Sequence, residues 1–465
     1  MRGGDGLFEV EQVETRPSQG RGAAVDKRFR AFDPHQVLLL PPSLDDWLPQ
    51  DHLARFVADL VDEVLDLTAI RADYTEKRGY PPYDPRLMVR LLIYGYTTGV
   101  RSSRAIERKC ADDIAFRYLA ADQAPDFRSI SRFRRRHLDA LADLFTQSLH
   151  LAQKLGMVKM GRVALDGTKL EASASKHKAM SYGRLVDKEE RTEAEIAALE
   201  ARAAALLADA EATDTAEDHA FGVDGKDTDL PAELDRREKR LAKLQAARAQ
   251  IEAEAADKAR AHAEDKERRR QERAGADDEQ AVTDAGERAA AAARPKPRAQ
   301  ANFTDPDSRI MKNGQGAYIQ AYNAQAVVDA EHQVITAADV TTNASDALNF
   351  TTMLDQSAAN TGLHPKQALV DAGYCSETNL EAARARQLAC GTDTFMATGR
   401  LAHDELVPPA PRGRIPAKAT LKERMARKLR TKPGRAAYRR RKAIVEPVFG
   451  QIMTCHNGRR LLLRG

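Results

Sequence analysis

The feature that most limits how this chain can fold is a change of composition in its middle. From about residue 186 to 293 the sequence is dominated by Ala, Glu, Lys and Arg, and its few large apolar residues fall at helical seam positions. Leu234, Leu241, Leu244 and Ile251 mark one seam, and Ile196, Leu199, Leu206 and Leu207 an earlier one. Such a pattern buries one narrow stripe per helix and no globular core. With a Gly/Asp-rich break at 213–229, the segment 186–300 is expected to be a charged antiparallel helical hairpin, frayed past Arg270. The cores must come from the segments on either side.

On the N-terminal side, residues 1–34 are rich in Gly, Arg and Glu without periodicity, the composition of a flexible tail. Residues 35–157 read as an all-α domain. Trp47, Leu48, Leu53, Phe56, Val57, Leu60 and Val61 recur at spacings of three and four. PRLMVRLLIYGYTTGV follows as a second helix, with Pro85 in its first turn and Gly95 and Gly99 near its end. Short helices at 103–109 and 112–120 lead to one long helix, capped by Ser129 and ending near Gly156, with Ile130, Phe133, Leu141, Leu144, Phe145 and Leu149 inward. Its first turns carry Arg128, Arg132, Arg134, Arg135 and Arg136. A basic helix start behind two short helices is the arrangement by which helix-turn-helix proteins enter the DNA major groove. The plainer alternative is a set of arginines that solubilise a helical bundle.

The remaining segments, 158–185 and 301–465, have an α/β order. A short apolar run ends at Asp166, and AYIQAYNAQAVVDAEHQVITAADVTT reads as two antiparallel strands turning near 329–332. A helix at 346–360, the strand QALVD ending at Asp371, a helix at 377–387, a strand at 394–397 and a final long helix follow. This order predicts a mixed sheet with helices on its faces.

A formal net charge of +4 conceals an asymmetry, since residues 412–464 hold 17 Lys or Arg against two acids, Glu423 and Glu446. That density is a polyanion-binding surface. No apolar run reaches the length of a membrane span, and the acidic N-terminus MRGGDGLFEVEQVE is unlike a signal peptide, so the expected location is the cytosol, with no membrane partner. The four cysteines are too scattered for a zinc knuckle or a disulfide framework, and neither HExxH nor a GxxxxGK[ST] loop occurs. These absences argue against a zinc enzyme and an ATP-driven motor.

Three acids carry the chemistry: Asp166 in VALDGTK, Asp371 in ALVDAGY and Glu446 in YRRRKAIVEPVFG. Two aspartates at strand ends and a glutamate on a basic helix could hold two magnesium ions about 3.5–4 Å apart and act on a phosphodiester. Each also has a local explanation: Asp166 and Asp371 as turn residues before glycines, and Glu446 as the partner of Lys442 one helical turn away. Asp305, Asp307, Asp329 and Asp346 are assigned to loops, a hairpin turn and a helix start rather than to a site.

The strings PDFRSISRFRRRH, VALDGTKLEASAS, GAYIQAYNAQAVVD, ALVDAGYCSE and YRRRKAIVEPVFGQI together resemble the bacterial insertion-sequence transposases of the DDE superfamily, over residues 35–185 and 300–465. The resemblance implies an RNase H-like catalytic core whose mixed sheet and flanking helices are interrupted by a helical insertion. It implies Asp166, Asp371 and Glu446 as a triad for Mg2+ or Mn2+, with terminal inverted repeats and target DNA as double-stranded partners, in the bacterial cytosol at the nucleoid. Tyr438, Lys442 and Glu446 stand four residues apart on one helical face, so that Tyr438 and Lys442, with Arg441 between them, would flank the phosphate. Synapsis of two ends implies a homodimer. The chain departs from the family pattern at Met453, where a basic residue is usual, and at Pro447, which should kink the last helix. Relatives continue past RRLLLRG with a further helix, so the chain is expected to be C-terminally truncated. The expected activity is end cleavage followed by strand transfer; the alternatives are a catalytically decayed DNA-binding remnant and a metal-dependent nuclease.

Overall fold

The computed structural model describes residues 43–75, 81–174, 179–217, 230–275, 277–303, 305–399 and 409–462, with the backbone alone described at 202–217 and 230–234. The tail at 1–34, most of the break at 213–229 and the side chains of Leu206, Leu207 and Leu234 lie outside the described residues. A short helix, α1 (Leu44–Trp47), belongs to an N-terminal unit that ends at Trp47.

Seven helices then surround one apolar core. They are α2 (Leu53–Asp59), continued by a π-helical turn over Leu60–Val64, α3 (Thr68–Ala72), α4 (Pro85–Thr97), α5 (Ser103–Asp112), α6 (Ile114–Leu119), α7 (Phe127–Arg136) and α8 (Leu138–Lys154). Val57, Val61, Ile70, Leu91, Ile106, Phe116, Leu119 and Ile130 meet at its centre. The long helix expected from residue 129 onward is two helices. Asp126, not Ser129, starts α7, its carboxylate accepting the N–H groups of Arg128 at 2.8 Å and Ser129 at 3.1 Å. His137 leaves helical geometry at φ −116° and ψ 31°, with its ring buried against Phe133 and 3.2 Å from the Tyr74 hydroxyl. Leu144 and Leu149 of α8 are buried as expected, whereas Phe145, also expected inward, is 40% exposed.

β1 (Arg162–Glu171) opens the sheet. The chain then leaves it through β2 (Ala179–Ser181), the long helices α9 (Tyr182–Glu217) and α10 (Leu230–Ala274), a third helix α11 (Glu279–Ala292), and β3 (Gln300–Asn302), which pairs with β2. Fraying past Arg270 was expected; instead the chain turns sharply and α11 packs back on α10. The Gln271 amide clamps the turn, donating to the Asp278 carbonyl and accepting from its N–H, both at 2.9 Å, while Asp278 caps α11.

The sheet resumes with β4 (Arg309–Lys312), β5 (Tyr318–Asp329) and β6 (Ile335–Thr341). After α12 (Phe350–Thr361) come β7 (Gln367–Val370), α13 (Glu377–Cys390), β8 (Asp393–Met396), α14 (Leu421–Arg430) and α15 (Lys432–Thr454). β5 runs antiparallel to β1 and pairs on its other side with both β4 and β6, whereas β7 and then β8 run parallel to β1. The sheet is therefore mixed. Alternation sorts its faces: Val163, Leu165, Ala368 and Val370 pack with α12 and α13, while Ala164 and Leu369 pack with Ile444, Val445 and Val448 of α15.

α15 passes through Pro447 without ending. Proline removes the N–H that Ala443 would receive four residues earlier, and the Gln333 amide donates to that carbonyl instead, at 2.8 Å.

Candidate active site

The register of the parallel pair decides where two of the three acids stand. Leu165 pairs with Val370, so the next step sets Asp166 beside Asp371, which directly follows β7. The strand expected to end at Asp166 instead runs on to Glu171, paired with β5, and Asp166 lies midway along it. Asp166 has the parity of Ala164 and Asp371 that of Leu369, so both point to the α15 side. There they meet Arg441, whose guanidinium lies 2.7 Å from the Asp166 carboxylate and 3.6 Å from that of Asp371. Burial raises the Asp166 pKa above the usual carboxylate value, and the Arg441 charge counters this only in part. Burial likewise works against the charge of Arg441, yet Asp166, Tyr438 and Asp371 outweigh it and its pKa is raised.

Glu446 does not join them. It follows Arg441 by five residues, about 7.5 Å along the helix axis and about 140° around it. Its carboxylate is 58% exposed and lies 3.9 Å from Lys442, the local pairing that the spacing allowed. Arg441 occupies the inward position of α15, and its guanidinium lies about 6.0 Å from the centre of the half-buried Tyr438 ring. Lys442 faces solvent.

Of the five arginines of α7, one is drawn inward and a second is taken up in a surface ion pair. Arg134 is buried and donates to the Tyr96 hydroxyl at 2.8 Å and the Ser103 hydroxyl at 3.3 Å, tying α7 to α4 and α5. Arg136 pairs with Asp73 at 2.5 Å. The helical period turns Arg128, Arg132 and Arg135 outward.

Residues 42–136 match the family described as Transposase domain (DUF772), and residues 292–465 match the family described as Transposase DDE domain. The chain belongs to the DDE transposases. The two matches together take in more than half of it, and no curated protein and no solved structure gives a significant match. Asp166 lies in neither matched segment, so its place beside Asp371 rests on strand register. As a member of this family the transposase is an enzyme that acts on DNA phosphodiesters, and DDE domains generally work with divalent metal ions.

The residues at hand fit one such ion. Two carboxylates on adjacent parallel strands are the hard oxygen donors that magnesium or manganese takes from protein, with water and phosphate oxygens completing the shell. A shell of three acids is not assembled: among the described residues no three His, Cys, Asp or Glu lie close enough to hold an ion. In the transposase as it stands, the Arg441 guanidinium is the cation between the aspartates.

The opposite face of the sheet carries a polar network that the sequence reading missed. Asp346, assigned to a helix start, caps nothing with its side chain. Its Oδ1 accepts from Asn323 at 2.7 Å, Gln325 at 3.0 Å and Lys169 at 3.1 Å. The Tyr374 hydroxyl donates to Gln325, and burial raises its pKa strongly. Gly167 leaves the necessary room, because a Cβ there would stand 2.2 Å from Gln325 Nε2 and 2.8 Å from Asp346 Oδ1. The signal available in the sequence was the polar run Asn323–Ala324–Gln325 inside an otherwise apolar strand, which demands partners.

Proposed function

We propose that this transposase cuts phosphodiester bonds at the ends of its element and joins the freed 3′-hydroxyl to target DNA, using Asp166 and Asp371 on an RNase H-like core. The observation that carries this reading is the pairing of Asp166, midway along β1, with Asp371 at the end of the neighbouring parallel β7, on one face, around a single cation. The strand order β6-β5-β1-β7-β8, with β5 antiparallel and β7 and β8 parallel to β1, supports the RNase H-like assignment.

Asp166 and Asp371 hold a divalent ion, magnesium or manganese, whose chemistry when bound is to polarise a phosphoryl oxygen and lower the pKa of an attacking water or hydroxyl. Arg441 exchanges the carboxylates for a phosphate oxygen pair, a geometry its planar guanidinium suits. Tyr438 borders the same phosphate. Lys442, together with Arg128, Arg132 and Arg135 on the outer face of α7, binds the backbone of the terminal repeat. Two copies act on paired ends. The helical region, the sheet and the insertion divide these tasks as binding domain, catalytic domain and spacer.

Cleavage of a duplex bearing the element's terminal repeat, with magnesium, tests the reading. Asp166→Asn and Asp371→Asn should each lower the rate by about a thousandfold, the loss of roughly 4 kcal/mol of transition-state stabilisation, with DNA binding retained. Undiminished cleavage in both variants would defeat it. The place of Glu446 on α15 predicts a smaller loss for Glu446→Gln; an equal loss would bring that side chain into the ion's shell on DNA.

A further inference from the structure

A second, basic cleft of about 610 Å³ opens where the turn before α5 meets the chain's C-terminal segment. Arg101, Arg108, Lys109, Arg459 and Arg460 line it, and Asp112 is the single acid in its wall. The cleft is firmly framed. The Gly99 turn, at φ +80°, lies so close to the C-terminal segment that a Cβ would stand 2.8 Å from the Cys455 carbonyl. Arg101 donates to the carbonyls of Asn457 and Arg460, and its Nε is buried with no hydrogen-bond partner. The segment itself is bonded to the end of β1: the Glu171 N–H donates to the Arg459 carbonyl at 2.9 Å, and the Leu461 N–H donates to that of Glu171 at 2.7 Å.

The positive charge is poorly compensated. Lys109 has Asp113 at 3.1 Å and Arg460 has Glu171 at 3.9 Å, both on exposed side chains, while Arg108 and Arg459 have no ion pair among the described residues. Walls that exclude water concentrate the field of such a group, so an anion with several charges at fixed spacing is the fitting occupant. β1 links this place to the proposed catalytic pair. Glu171 follows Asp166 by five residues, a separation of no more than about 17 Å, so one turn of duplex, about 34 Å, reaches both.

We propose that this cleft grips the sugar–phosphate backbone of the same duplex whose scissile bond lies at Asp166 and Asp371. The inference rests on the reading of those aspartates as the cleavage site, and its test separates the two. Binding of the full chain to a duplex of about 40 base pairs is measured as a function of salt, since each neutralised phosphate contributes about 0.9 to the logarithmic slope. Arg108→Gln/Arg459→Gln should lower that slope by about 1.8 and weaken binding at least about tenfold near 0.1 M salt. Lys266→Gln/Arg269→Gln on α10 removes the same charge and should leave the slope unchanged. Asp112→Asn should tighten binding, a gain that misfolding does not produce. An unaltered slope in the first variant, or no tightening in Asp112→Asn, overturns the cleft while leaving the catalytic reading intact. Retained cleavage in the Asp166→Asn and Asp371→Asn variants would overturn the catalytic reading while the slopes still report on the cleft.

Discussion

Arg441 shows how a single residue can hold a site together before any ligand arrives. Without it, Asp166 and Asp371 would face each other across one strand spacing, an arrangement that like charges oppose. Breaking a buried pair costs about 3–5 kcal/mol, and because Asp371 is 41% exposed the loss in Arg441→Gln should be nearer to about 2 kcal/mol. If the guanidinium occupies the place of the ion, Mn2+ should raise the melting temperature of Arg441→Gln more than that of the wild type. Equal shifts in a thermal-unfolding titration would separate Arg441 from the ion's position. Gly167 makes the complementary case. Gly167→Ala pushes a methyl into Gln325 and Asp346, and overpacking of this kind costs about 1–3 kcal/mol, readable as a lower urea midpoint. Asp166 and Asp371 stood out as candidates in the sequence because each ends an apolar run. The role of Asp346 was not, since its three donors come from two different strands and no local pattern announces them.

At the scale of elements, the strands were easier to read than the joints between helices. β1, β5 and β7 declare themselves through alternation and β-branched residues, which are local properties. α14 carries a local signal too, the Thr420-to-Glu423 capping box, yet it went unread within a stretch valued for its charge. The division between α7 and α8 has no such signal, because it is imposed by where the ring of His137 is buried. That burial makes a pH prediction. It lowers the His137 pKa below the ordinary 6.5, with Asp73 opposing the shift only in part. As pH falls below 6.5 the unfolded chain takes up a proton that the folded chain resists, so stability present above that value is progressively lost. Between about pH 7.5 and 5.5 the wild type should therefore lose more thermal stability than His137→Asn. Parallel losses in the two proteins would show that the junction does not titrate.

For the molecule as a whole, the insertion tests whether the sheet folds by its own residues. Its two ends meet beside the β2–β3 pair: the Tyr182 N–H donates to the Ala299 carbonyl at 2.7 Å, so the chain leaves and returns at one place. Its apolar centre, formed by Leu185, Leu244, Ala247, Ile251 and Ala301, is separate from the cores on the two faces of the sheet. Ala301 and the partly buried Met180 and Phe303 tie this small centre to the rest of the chain, and the other ties are polar. Arg309 pairs with Glu254, the Gln250 amide donates to the Pro306 carbonyl at 3.0 Å, and the Tyr182 hydroxyl donates to Glu252 at 2.7 Å. Partly exposed contacts of this kind contribute on the order of 1 kcal/mol each. Replacing residues 184–296 with a short Gly/Ser loop should therefore leave a cooperatively unfolding protein whose far-ultraviolet spectrum loses helix and keeps the strand contribution. The metal-dependent stabilisation proposed for Asp166 and Asp371 should persist, because β1 keeps both of its neighbours, β5 and β7. Loss of the cooperative transition on excision would mean that α9 and α10 supply part of the sheet's stability, and that the two cores are energetically one.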